Sequence, residues 1–229
     1  MHIEPGVIDA AKLTLSYATA AGAAGVAAKL AFDAIRHGGL MAFGLRAALA
    51  TSLTFVFFEL LPTFSAGVSE VHFILATTLF LVLGLGPTAV GLAGGLAIQS
   101  LFFAPDDLPQ YAANVTTLLV PLFAMAILAN RVIPKETAYK DLGYGQVLAL
   151  SLAFQGGVVA WVAFWVFYGQ GVTAQSLDGV ATFGLSYAMV VVVEPIVDLA
   201  VLAAAKALHS LRESPLYRTL VNPRLHASA

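Results

Sequence analysis

The chain has 229 residues, of which 59% are hydrophobic and only 10% charged, with a formal net charge of -2 and a mean hydropathy of +0.87. A soluble domain carries about 25% charged residues, so this chain lacks the charge to cover a water-facing surface, and its bulk charge makes no case for nucleic acid. The absence of cysteine excludes disulfides, thiolate metal sites and cysteine nucleophiles together.

The first ten residues, MHIEPGVIDA, hold Glu4 and Asp9 and no basic stretch. This does not suit a cleavable leader, and the mature chain is expected to start at Met1. Seven apolar stretches follow, at 10–34, 40–61, 70–86, 87–104, 110–131, 143–168 and 180–208. A spanning helix needs about 20 mostly apolar residues. Backbone hydrogen bonds must close inside each span, so helices are expected, and the alternation of a membrane β-barrel is missing. The third and fourth stretches are short and meet at Gly84-Leu85-Gly86-Pro87, which suits a tight turn near the bilayer edge. The expected fold is an all-α, polytopic membrane helix bundle of about seven transmembrane helices. It forms a single membrane domain over 1–229, with an N-terminal segment (1–9), the bundle (10–208) and a tail (209–229).

Charge orients this bundle. Lys29, Arg36 and Arg46 flank the first connection, Arg131, Lys135 and Lys140 the fifth, and Lys206, Arg212, Arg218 and Arg224 the C-terminal end. These ten of the eleven basic residues fall on one side, which the positive-inside rule makes cytoplasmic. Lys12 stands on the other side with Glu4, Asp9, Glu59, Glu70, Asp106, Asp107 and Asp178. Seven spans then put the N-terminus outside and the C-terminus in the cytoplasm. In the first span Ser16, Ala20, Ala24 and Ala28 recur every four residues. Such a stripe allows close helix approach, either within the bundle, the ordinary case, or to another membrane subunit.

Of the five histidines, His37, His209 and His226 fall on the cytoplasmic side, and only His2 and His72 on the outer side. Position 2 has special chemistry. A free terminal amine, the amide nitrogen of residue 2 and the imidazole of that residue wrap one ion in fused chelate rings, with three nitrogen donors in a plane. His72 can supply a fourth. Planar nitrogen ligation selects Ni(II), Cu(II) and Co(II) over the oxygen-seeking Mg(II) and Ca(II), and binding that releases protons weakens at low pH. Each histidine alone has an ordinary reading, His2 as a surface side chain at a frayed end and His72 as a polar cap. The residues themselves leave both readings open.

Short motifs along most of the chain narrow the choice. Met1-His2-Ile3 followed closely by Gly6, Ser69-Glu70-Val71-His72, Gly86-Pro87, Gln99-Ser-Leu-Phe-Phe-Ala104, Ala113-Asn114-Val115 and Val193-Glu194 together resemble the CbiM/NikM family. Its members are the substrate-binding (S) components of energy-coupling-factor cobalt and nickel transporters. The resemblance implies that Met1, by its amine, His2, by amide and imidazole, and His72 hold the transported Ni(II) or Co(II). Gln99 and Asn114 are the candidates for hydrogen bonds that support these ligands. It also implies a prokaryotic plasma membrane location, no permanent cofactor and three kinds of partner: a transmembrane coupling subunit, cytoplasmic ATPases and, in many members, a small accessory membrane protein. The chain departs from the family pattern at Glu4-Pro5, Asp106-Asp107, Thr117 and Tyr187, which marks a divergent member.

Two features stand outside that reading. Glu194 and Asp198 share a helix face in an apolar span, where ionisable groups are costly and often functional. They offer a rival function, a proton-coupled carrier or an intramembrane enzyme, or else a plain polar contact to a neighbouring helix. Glu59, Glu70, Asp106 and Asp107 form an acidic outer rim that either concentrates cations or is simply solvated. The sequence holds no phosphate-binding GxxxxGK[ST] motif, so the chain is not expected to be an enzyme, and ATP hydrolysis is expected from a separate subunit.

Overall fold

The computed structural model describes residues 3–4, 6–9 and 11–207. Among these, the chain forms α1 (Leu13–Gly38), α2 (Leu40–Glu59), a hairpin of β1 (Phe64–Ala66) and β2 (Ser69–Val71), α3 (Ala76–Leu83), α4 (Leu85–Phe102), α5 (Tyr111–Val132), α6 (Tyr144–Gln170) and α7 (Ala174–Ala207). All but α3 are long and apolar enough to cross a membrane. The polytopic all-α bundle expected from composition is therefore the fold. The tail 209–229, with His209 and His226, lies outside the described residues.

Close backbone approaches set the packing. A Cβ on Gly91 of α4 would meet the Ala50 Cβ of α2 at 2.2 Å, and one on Gly95 would meet the Thr54 Cβ at 2.6 Å. Equal steps of four residues on both helices mean that α2 and α4 run in the same direction. The helices α5 and α6 run oppositely. Gln146 Nε2 donates to the Val132 carbonyl at 2.7 Å, Gly157 packs on Pro121, and Trp161 Nε1 donates to Thr116 Oγ1 at 3.1 Å. In α1 the small-residue stripe packs only in part, through Ser16 and Ala20. Ala23 and Ala27 are buried, whereas Ala24 and Ala28 are exposed and, with Ala20, edge an apolar groove of about 640 Å³ against α4 and α5. Ser16 is buried and donates to the Leu13 carbonyl at 2.7 Å.

The third span differs from its expected form. The stretch 70–86 is helical only over Ala76–Leu83 before the break at Gly84. Eight residues give about 12 Å of helix, less than half the hydrocarbon thickness of about 30 Å. Residues 72–75 form neither helix nor strand, and Leu75, the residue before the helix, has φ 52°, a left-handed conformation uncommon outside glycine. Non-helical backbone at membrane depth needs partners for its amides, and α7 provides them. Glu194 Oε1 accepts the Ile74 N–H, and Asp198 Oδ1 accepts the Thr78 N–H at 3.0 Å together with the Thr78 hydroxyl. Asp198 thus caps a short helix from 120 residues away, a function usually filled by the residue next to the helix, and Glu194 holds the chain just before it. Hydropathy cannot signal this, because the residues over 72–75 would suit a helix equally well.

Candidate metal centre

The N-terminal segment is built into one end of the bundle. Ile3 forms an antiparallel bridge with Ser69 of β2, Glu4 N–H donates to the Val68 carbonyl at 3.1 Å, and Ile3, Val7 and Ile8 are buried. The segment thereby extends a hairpin whose register pairs Phe64 with Val71 and Ala66 with Ser69. Gly67, at φ 68°, supplies the positive φ that such a two-residue turn needs at its first position, and the turn lies against Gly179 of α7. A second anchor comes from α5, where the Asn114 Oδ1 accepts the Ile3 N–H at 2.7 Å in a buried contact. A third is Lys12, whose Nζ donates to the Gly169 carbonyl at the end of α6 at 2.7 Å.

His72 follows directly on β2 and is 1% exposed. Strand periodicity puts Glu70 and His72 on one side of the chain, and His72 Nε2 lies 2.8 Å from Glu70 Oε2. An ionised carboxylate only accepts, so Nε2 is the donor in this contact and Nδ1 is the nitrogen on the other side of the ring. A carboxylate on the far ring nitrogen is the usual way a ligand histidine is oriented and made more basic. The Phe58 ring packs on the imidazole at 5.2 Å between centroids. Beside it, Gln99 Nε2 donates to the Phe58 carbonyl at 3.3 Å and lies 3.4 Å from Glu59 Oε2. Of the rim carboxylates, Glu59 and Glu70 are thus in hydrogen bonds rather than plainly solvated. Gln99 Oε1 and Asn114 Nδ2 are buried with no hydrogen-bond partner among the described residues.

The structure therefore brings Ile3, Ser69, Glu70, His72 and Asn114 to one end of the bundle, with Gln99 alongside Phe58. Met1 and His2 lie outside the described residues. Among the described residues, no three His, Asp or Glu side chains come close enough to hold an ion. His37 closes α1 at the other end, its ring bonded to the Asp33 carbonyl at 2.6 Å. Thr117 returns its hydroxyl to the Ala113 carbonyl within α5 at 3.0 Å. Tyr187 donates to Gln155 Oε1, and Gln155 Nε2 donates to Glu194 Oε2. Sequence reasoning missed the roles of Glu70 and Gln155. The signal for Gln155 was an amide inside an apolar span, and that for Glu70 its two-residue spacing from His72 in a strand.

Residues 2–211 match the family model CbiM, described as the cobalt uptake substrate-specific transmembrane region. The chain belongs to the CbiM family. Two solved structures share the fold. A truncated transition metal transporter aligns over 92% of this chain and 98% of its own, with a TM-score of 0.67 and 18% identity. Another transition metal transporter aligns over 94% and 96%, with a TM-score of 0.59 and 19% identity. No curated protein matches the sequence. This CbiM-family chain is accordingly a multi-pass membrane component of metal uptake.

Proposed function

We propose that the chain is the substrate-capturing subunit of an ATP-driven uptake transporter for nickel or cobalt. It captures the ion outside the cell through the Met1 amine, the His2 amide and imidazole, and the His72 imidazole. The observation that carries this reading is the anchoring of Ile3. Its amide is held by Asn114 and its backbone pairs with Ser69, three residues before His72. His2 directly precedes Ile3 in the chain. The chain that follows His2 and the strand that leads to His72 share this edge, which supports the reading, and Asn114 anchors it. Glu70, bonded to the ring, orients His72 and makes it a more basic donor. The transmembrane coupling subunit, the ATPases and the accessory subunit belong to this proposal, as does the orientation with the N-terminus outside.

The rival centred on Glu194 and Asp198 is less well supported. Glu194 uses both carboxylate oxygens, and Asp198 one, as acceptors from neighbouring groups. That is the polar contact to a neighbouring segment, and it accounts for two carboxylates in an apolar span without proton transfer.

Calorimetric titration of the purified chain with Ni(II) and Co(II) tests the site. The wild type binds about one equivalent, and His2→Ala and His72→Ala each lose high-affinity binding. Unchanged affinity in both variants sinks the site, and loss in only one makes the other histidine a bystander.

The orientation is tested by single-cysteine labelling, which is simple in a chain without cysteine. In intact cells an impermeant reagent labels Ser65→Cys, Asp106→Cys and Gln175→Cys and spares Arg36→Cys and Lys135→Cys, as the segregated basic residues require. Labelling at position 135 contradicts the orientation.

A further inference from the structure

The carboxylates of α7 have a consequence for His72 beyond holding the start of α3. His72 sits between two anchors. Upstream, β2 is paired with β1 and with Ile3. Downstream, the Ile74 N–H is held by Glu194 Oε1, and the next helical turn is held by Asp198 through Thr78. Ile74, the Glu194 contact, is two positions beyond His72, a reach of at most about 7 Å. Between the contacts to Ile74 and Thr78, Leu75 keeps a left-handed φ of 52°.

That backbone has an obvious competitor. Phe73, Ile74 and Leu75 are apolar, so α3 can extend upstream as ordinary helix through 72–75. Each residue wound into a helix turns the chain by about 100°, and His72 would rotate away from β2 and Glu70. The unwound form persists because Glu194 accepts the Ile74 amide. Glu194 is in turn oriented by Gln155 of α6, whose own carbonyl oxygen accepts from Tyr187. All three side chains are buried.

We propose that Glu194, oriented by Gln155 and Tyr187 and backed by Asp198, is a positioning residue for the metal site: it holds residues 72–75 unwound and so aims the His72 imidazole. This rests on the reading of His72 as a metal donor.

The test uses the purified full chain in detergent and Ni(II) alone as probe. It reads affinity by calorimetry, the Ni(II) visible absorption band, which reports ligand geometry, and helical circular dichroism as the folding control. Glu194→Ala is expected to weaken Ni(II) about 10- to 100-fold, the range for outer partners of metal ligands, and to change the absorption band. The decisive variant is the exchange Glu194→Gln with Gln155→Glu. The amide oxygen now at position 194 accepts the Ile74 N–H. Its NH₂ donates to the carboxylate at position 155, which still accepts the Tyr187 hydroxyl. All three hydrogen bonds are restored with the charge moved to α6, so affinity and band return to within a few-fold of wild type.

A folded Glu194→Ala protein with wild-type affinity and band overturns the proposal. So does a folded exchange variant that fails to recover, since the charge at 194 itself would then be what matters. If Glu194→Ala does not fold, the exchange variant decides alone in the same sense. His72→Ala run in parallel separates the two levels. Retained binding there removes the ligand reading and this inference with it, whereas loss there with no effect at Glu194 removes this inference alone.

Discussion

Ten residues fused ahead of Met1 abolish high-affinity nickel and cobalt binding and leave the helical fold intact, whereas the same ten added after Ala229 leave binding unchanged. The reason is ring closure. In the proposed site the terminal amine, the amide of residue 2 and its imidazole close two fused chelate rings, and extension turns that amine into an amide, which becomes a donor only by losing a second backbone proton. A single added residue is the subtle case. It makes the histidine third in the chain, a spacing that still chelates Ni(II) but fills the fourth planar position internally and leaves no place for His72. The described fold gives the extension little reason to disturb the bundle, whose helices begin at Leu13. Metal content of the two tagged forms, with circular dichroism as the folding control, checks the prediction. Equal metal content in both folded forms removes the terminal amine from the site.

Gly169→Ala is expected to weaken Ni(II) binding about 10- to 100-fold, as for other supports of metal ligands, although position 169 carries no donor side chain. A Cβ there would lie 2.1 Å from the Val7 carbonyl oxygen and 3.0 Å from its carbon. Both are backbone atoms, so the N-terminal segment has to move off the end of α6. The movement strains the Lys12 bond to the Gly169 carbonyl and, through the short stretch to Ile3, the contacts with Asn114 and Ser69. The control is Gly156→Ala in the same helix, where a Cβ meets nothing within 4 Å. There the gain in helix propensity, about 0.5–1 kcal/mol, is the main effect, and binding is unchanged. Calorimetry and thermal unfolding of the two variants distinguish a displaced segment from a damaged helix. Equal affinities show that the packing of Val7 on Gly169 does not matter to the site.

Sequence alone determined the solvent in which this chain folds and the number of its helices. Burial in lipid imposes the same requirement on every span, about 20 apolar residues with internal hydrogen bonds, and that requirement is local and readable. The expected stretch 110–131 became Tyr111–Val132 and 143–168 became Tyr144–Gln170. The motif likeness, resting on residues such as Ser69, His72 and Asn114, led to the family. Tertiary structure alone decided three things. It made the third span a short helix behind unwound chain, because the carboxylates that satisfy Ile74 and Thr78 come from α7, 120 residues on. It gave the buried face of α1 to Ala23 and Ala27 rather than to the stripe of Ala24 and Ala28, because small residues favour close packing without saying on which side the neighbour stands. And it joined the N-terminal segment to β2, α5 and α6 through Ile3, Asn114 and Gly169. Those contacts are backbone amides, carbonyls and one missing side chain, and hydropathy and charge carry no record of where a distant backbone group will find its partner.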